Sequence, residues 1–241
     1  MGDMGTTVGA GTTGRAGGNG NGNGNGDGDL RASDGRVPGR RGLLTRTRLL
    51  EHTRDLIGTT SYRDLKVVDI ARAAGLSPAT FYQYFPDAEA ALLALADELV
   101  GEGRERLTRD LREGLWSGKE AYDTCERVSS SFLSFWSDHG SLLAVIDLAA
   151  LEGDQRFRDI RTSMLNAVNE AIAAVVADQQ NKGRLPPDLD VTATSAVLVA
   201  MLAQTSGHQY GITNYGTTVE ALVQAMARQL YSAMTGRKPP A

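Results

Sequence analysis

The sequence predicts an all-α protein of about nine helices. Apolar residues recur with helical rather than alternating spacing from about residue 43 onward. The breaks between these runs carry helix-ending residues, among them Gly58, Gly75, Gly153, Gly183 and Pro186-Pro187. Strand alternation is nearly absent, and no internal repeat is evident.

The helical reading starts late in the chain. Gly supplies 14 of residues 1–40, and residues 17–28 alternate Gly with Asn or Asp. Glycine loses the most backbone entropy on ordering, and nothing apolar here offsets that loss. Residues 1–38 are therefore expected to be a disordered tail. Residues 43–59 place Leu49, Thr53, Leu56 and Ile57 on one face of a first helix. A second spans 67–74, with Val67, Ile70 and Ala74 inward and Gly75 suited to a positive-φ C-cap. Ser77-Pro78 restarts the chain as N-cap and first helical residue of a third helix reaching about Tyr84. Pro86-Asp87 opens a fourth with a broad stripe of Leu92, Leu93, Leu95, Ala96 and Leu99. Further helices are expected at about 118–137, 140–151, 155–181, 190–209 and 216–234, with breaks at Gly140 and Gly211 among them. Residues 236–241 read as a flexible C-terminus. The domain reading is 39–86 and 87–235.

Two short helices joined by Ala-Gly-Leu-Ser have the geometry of a helix-turn-helix. At 100° per residue, Phe81 and Phe85 fall on one side of the third helix. Ala79, Tyr82 and Gln83 fall on the other, with Thr80 and Tyr84 at its flanks. That outer face is small, hydrogen-bonding and uncharged, which suits close approach to base edges in a major groove. Charge is uneven in the same sense. Residues 36–85 carry nine Lys or Arg against four acids, a balance of +5, which leaves −9 on the rest of a chain whose net charge is −4. A basic module on an acidic body fits nucleic-acid binding at one end. The alternative is a small helical domain with merely solvated charges. Arg36, Arg40 and Arg41 read equally as a basic arm or as a solubilising cluster, and Arg46 joins them as a candidate DNA contact.

The sequence resembles the TetR family of bacterial transcriptional repressors. The resemblance rests on Thr47-Arg48-Leu49-Leu50, on the ungapped run Val67-Val68-Asp69-Ile70-Ala71-Arg72-Ala73-Ala74-Gly75-Leu76-Ser77-Pro78-Ala79-Thr80-Phe81-Tyr82-Gln83-Tyr84-Phe85-Pro86, and on Glu89-Ala90-Ala91-Leu92-Leu93. It covers about residues 43–93. It implies a three-helix DNA-binding domain followed by an all-helical ligand-binding and dimerisation domain. It also implies a homodimer on a palindromic operator, released by a small molecule. By family position, Thr80, Tyr82 and Tyr84 resemble backbone-positioning residues, Pro78, Ala79 and Gln83 lie nearest the bases, and Ser77 sits at the helix start. Two departures stand out. Many members cap the second helix with Thr where this chain has Lys66, which cannot accept an N–H. The cap is then lost or moved, with Asp64 as the alternative, and Lys66 becomes available to a phosphate. Many members have Ser-Lys after the proline, and here Asp87-Ala88 removes that cation.

In the body, Phe132, Phe135, Trp136, Met164, Met201 and Gln204 are candidate ligand contacts. The competing reading is that aromatics and Met at helical spacing are simply core. With no Lys or Arg among them, the expected ligand is mostly lipophilic, and Arg104, Arg106 and Arg161 are the only cations in reserve for a carboxylate or acyl-coenzyme ligand. Helices 192–206 and 219–230 have an association character: small residues in the first, and the stripe Val219, Leu222, Val223, Met226 and Leu230 in the second.

Other chemistry is not expected. One cysteine excludes a disulfide framework and fits a reducing, cytoplasmic setting. His52, His139 and His208 are far apart, so no metal or cofactor is expected. His139 is expected to end a helix, and Cys125 to be an inert thiol. No secretory or membrane-spanning segment is read, and an enzyme is not expected. Two further readings compete with the repressor. One is an architectural or assembly protein that binds DNA through the same fold without an inducer. The other is a helical adaptor whose basic module binds protein or an anionic surface.

Overall fold

The computed structural model describes residues 39–240. The expected tail 1–38, including Arg36, lies outside the described residues. Among the described residues there are nine α-helices and no strand. They are α1 Arg40–Ile57, α2 Val67–Ala73, α3 Pro78–Tyr82, α4 Ala88–Glu113, α5 Glu120–Leu151, α6 Gln155–Asn181, α7 Val191–Gly207, α8 Gln209–Thr213 and α9 Val219–Thr235. A 3-10 turn at Tyr62–Asp64 precedes α2.

The first three helices enclose Leu49, Ile70, Ala71, Ala74 and Phe81, all fully buried, and Phe85 beside them. The Phe81 and Phe85 rings meet at 5.6 Å. Burying one such ring contributes about 1.5–3 kcal/mol, enough to hold α3, whose five residues could not persist alone. The first turns of α4 add Leu92, Leu95 and Leu99 to the same core. The local signals behave as their chemistry requires. Gly75 takes φ 62°. Ser77 Oγ accepts from the Thr80 N–H at 3.1 Å, and Asp87 Oδ1 accepts from the Ala90 N–H at 2.7 Å.

In the body, α5 lies at the centre and packs against α4, α6, α7 and α9, while α4 and α6 form a second extensive seam. The apolar stripe of α9 is spent on this core. Leu222, Met226 and Leu230 are buried, and only Val219 at its start is well exposed.

Several boundaries differ from the sequence reading. The segments 118–137 and 140–151 are one helix, α5. Gly140 lowers helix propensity by about 0.5–1 kcal/mol relative to Ala, but it carries neither a proline nor a left-handed turn. Phe132 and Phe135 before it and Leu142 and Ile146 after it stay in one helical register and are all buried. His139 therefore does not end a helix. It sits mid-helix with Nε2 2.9 Å from Glu102 Oε1, and its ring is 4.7 Å from that of Phe135. The helix expected over 190–209 ends at Gly207, and α8 follows as a separate short turn of helix that contains Gly211. Helix α1 begins at Arg40, so Arg40 and Arg41 are helical residues rather than an arm. At the other end, the Arg228 guanidinium donates to the Pro240 carbonyl at 3.1 Å, so the C-terminal segment folds back on α9.

Candidate nucleic-acid interface and ligand cleft

The outer side of α3 forms the first candidate site. Ser77, Pro78, Ala79, Tyr82 and Gln83 are exposed, and Thr80 and Tyr84 are partly so. Tyr82 keeps 51% of its surface although its ring meets the buried Phe81 edge-on at 6.0 Å. Ser77 and Thr80 are also tied to each other, Oγ to Oγ1 at 3.0 Å, which orients both hydroxyls at the start of the helix. Gln83 and Tyr84 lie just beyond α3, where the Tyr84 N–H turns back to the Phe81 carbonyl at 2.9 Å.

The same three-helix module exposes several cations. Arg40 and Arg41 are exposed in the first turn of α1. Positive charge there opposes the helix dipole, so these side chains do not serve the stability of their own helix. Lys66 is exposed and occupies the N-cap position of α2 without a side-chain cap, and Asp64 does not supply one. Arg48, not singled out from the sequence, is exposed and reaches the turn between α2 and α3. A Cβ on Gly75 would meet its guanidinium at 3.0 Å. Only the folded turn brings residues 48 and 75 together, so spacing could not have found it.

Arg46 leaves the group. Its side chain is 8% exposed, pairs with Glu98 at 3.3 Å and stands over the Phe85 ring at 5.4 Å. The helical turn between Arg46 and Leu49–Leu50 directs it onto α4, and it fastens α1 there. It is not a DNA contact.

In the body the six ligand candidates separate. Phe132 and Phe135 are fully buried and belong to the core, with Trp136 stacked on Phe132 at 5.6 Å and 11°. Trp136, Met164 and Gln204 do come together, around an inner pocket of about 100 Å³ with Asp147, Arg161 and His208. Met201 packs on the core and is not part of that wall. Ligand pockets run to about 300–1,000 Å³, so the inner pocket alone is small. On the other side of Trp136 lies a cleft of about 710 Å³ between α5, α7, α8 and the start of α9. Leu143, Leu148, Leu151, Tyr210 and Val219 make it apolar, and it shares Trp136, Leu143, Asp147, Gly207 and His208 with the inner pocket.

Two polar features mark the cleft. Ser206 lines it and is buried, yet its Oγ has no hydrogen-bond partner. An unsatisfied buried hydroxyl costs about 1–3 kcal/mol, which a ligand acceptor or donor would recover. His208 Nε2 is bonded to the Gln204 amide at 2.6 Å. No Lys or Arg lines the cleft. The reserve cations are engaged: Arg161 with Asp147 at 2.6 Å, Arg106 with Asp138 at 2.7 Å, and Arg104 with Ser163 at 3.2 Å. Cys125 is buried, and burial pushes its thiol up to about 12, with Glu126 adding to the shift. A thiol so disposed is not a nucleophile at neutral pH. Among the described residues no group of three or more His, Cys, Asp or Glu is placed to hold a metal, and no helix is long and apolar enough to cross a membrane.

Residues 49–95 match the family model of bacterial regulatory proteins of the tetR family, and residues 107–241 match that of the tetracyclin repressor-like C-terminal domain. The chain belongs to the TetR family. The HTH-type transcriptional regulator EthR of Mycolicibacterium smegmatis is 29% identical over 177 residues, covering 68% of this chain and 76% of that protein. Among solved structures, FadR of Bacillus subtilis, in complex with stearoyl-CoA, superposes with TM-score 0.61 at 20% identity, over 78% of this chain and 98% of that one. FadR of Thermus thermophilus, in complex with lauroyl-CoA, gives TM-score 0.53 at 22% identity, over 81% and 98%. These likenesses establish a TetR-type fold, and α2 and α3 are its helix-turn-helix.

Proposed function

We propose that the protein is a ligand-responsive transcriptional repressor that binds a palindromic operator as a homodimer and is released by a small, mostly lipophilic molecule. The observation that carries this reading is the uncharged, exposed outer face of α3 on a three-helix module that also exposes Arg40, Arg41, Arg48 and Lys66. Pro78, Ala79 and Gln83 approach base edges, Tyr82, Thr80, Ser77 and Tyr84 position the helix on the backbone, and the cations meet phosphates. The outer faces of α7 and α9 suit the second copy. Ala193, Ala196, Val197 and Ala200 on one, and Ala221, Gln224 and Ala225 on the other, are exposed and small enough for close helix approach. The ligand site is the cleft beside Trp136. Its apolar wall takes hydrocarbon, in keeping with the acyl groups carried by the FadR complexes, and its lack of a cation favours a ligand with little charge.

The test is selection of bound duplexes from a random pool by the purified full chain at near-physiological salt. A palindromic consensus is the expected result, with half-sites about one helical turn apart. Weak, salt-sensitive binding without a consensus would overturn the operator reading. The filled centre of the body, with Phe132 and Phe135 fully buried, is the observation that favours a second reading, a DNA-binding architectural protein without an inducer. Release of the selected operator by neutral lipophilic compounds separates the two.

A further inference from the structure

The DNA-reading helices touch the body at a place distinct from the seam between α1 and α4. The 3-10 turn Tyr62–Asp64 lies against the turn between α5 and α6. There Tyr62 Oη donates to Glu152 Oε2 at 2.5 Å, and the Arg63 guanidinium pairs with the other oxygen of the same carboxylate. Beside it, Arg156 in the first turn of α6 pairs with Glu89 in the first turn of α4 and with Asp154. Both contacts border a cavity of about 570 Å³ floored by Leu65, Leu92 and Phe157. The two surfaces are thus tied at a rim around an opening.

The seam and the rim differ in kind. Along the seam, Leu49 and Leu50 are buried and Arg46 is enclosed. At the rim the side chains of Arg63 and Arg156 are 61% and 57% exposed. Exposed pairs of this sort are weak and readily exchanged for water, so the rim can open while the seam holds. The rim is also next to the ligand cleft along the chain. Leu148 and Leu151 line that cleft, and Glu152 is the next residue of the chain.

The geometry points to Glu152 and Arg156 as positioning residues: they fix the angle of the recognition helices against the body, and a ligand lodged against Leu148 and Leu151 acts by releasing them. This rests on the ligand-responsive operator reading. It identifies the two-state element that such a mechanism requires, a contact both sites can bias. Glu152 holds Tyr62 and Arg63 from the body side, and Arg156 holds Glu89, so loss of either frees one edge of the module.

Two measurements on the full chain test it. The first is backbone hydrogen exchange without DNA. Glu152→Ala is expected to speed exchange in residues 60–66 and 149–157, which include the first turn of α6, while leaving the rest of α6, α7 and α9 unchanged. The second compares the selected operator with one whose half-sites are moved apart by one base pair. The preference of the unmodified chain for the selected spacing is expected to fall about three- to tenfold in Glu152→Ala and Arg156→Ala. The exchange of partners, Arg63→Glu with Glu152→Arg, is expected to restore it. Unchanged exchange in both segments overturns the contact itself, and unchanged spacing preference in both variants overturns the positioning role. A chain that selects no operator at all overturns the operator reading and the positioning role with it, while hydrogen exchange still decides whether the contact exists.

Discussion

Helices α3 and α5 each carry aromatic residues at helical spacing, and they use them in opposite ways. In α3 and the turn after it, Phe81 and Phe85 point into the core and leave Ala79, Tyr82 and Gln83 outside. In α5, Phe132 and Phe135 are both buried, and only Trp136 reaches a cavity. The difference lies in the neighbours. Helix α3 has protein on one side, so a single wheel separates anchor from reader. Helix α5 has α4, α6, α7 and α9 around it, so an inward residue can be core or wall with the same spacing.

The largest effects should test that contrast directly. Phe81→Ala and Phe132→Ala are each expected to cost about 3–5 kcal/mol in urea unfolding, the usual range for a large buried ring. Only the first should abolish operator recognition at temperatures where the variant is still folded. A cost below about 1 kcal/mol for Phe132→Ala would show that this ring lines a space rather than filling the core. Gln83→Ala should reduce discrimination at one operator position by about 1–3 kcal/mol, and a repeat selection returning an unchanged consensus would remove Gln83 from the base-reading set. Ser77→Ala deletes the cap on the Thr80 N–H and should lower stability by about 1 kcal/mol, which thermal unfolding would detect.

Lys66→Ala is a smaller and cleaner change. With no side-chain cap to lose, its stability should stay within about 0.5 kcal/mol. Binding to all sequences should weaken, with the slope against salt shallower by about one ion. An unchanged slope would place Lys66 away from the phosphates. The smallest expected effect is at Cys125. With its thiol pushed up to about 12, the thiolate fraction near pH 8 is on the order of one in ten thousand. Iodoacetamide should therefore leave the folded chain unmodified and label it only after denaturation. Rapid labelling of the native chain would contradict the buried placement.

The sequence was most informative where a local pattern has one structural solution. Gly75 could be read because a glycine directly after a helical run suits a positive-φ C-cap, and Pro86-Asp87 because that pair opens a new helix. Arg46 could not be read. It lies among cations that face outward, and only the approach of α4 brings Glu98 and Phe85 to it. Gly140 misled because glycine marks many helix ends, whereas here the buried residues on either side keep one register. The cleft was illegible for a similar reason: Leu151, Tyr210 and Val219 become one wall only when α5, α8 and α9 meet. Trp136, Met164 and Gln204 did emerge from the sequence, and they form the small pocket behind that wall.

The uninterrupted course of α5 has a mechanical consequence. At about 1.5 Å per residue, the stretch from Gly140 to Glu152 is a rod of roughly 18 Å. A Cβ at Gly140 would meet nothing within 4 Å, so no neighbour props the helix on that side where the rod begins. A bend of about 5° there would swing its lower end by roughly 1.5 Å, more than a hydrogen bond tolerates. Filling that position with alanine would stiffen the rod and shorten its stroke.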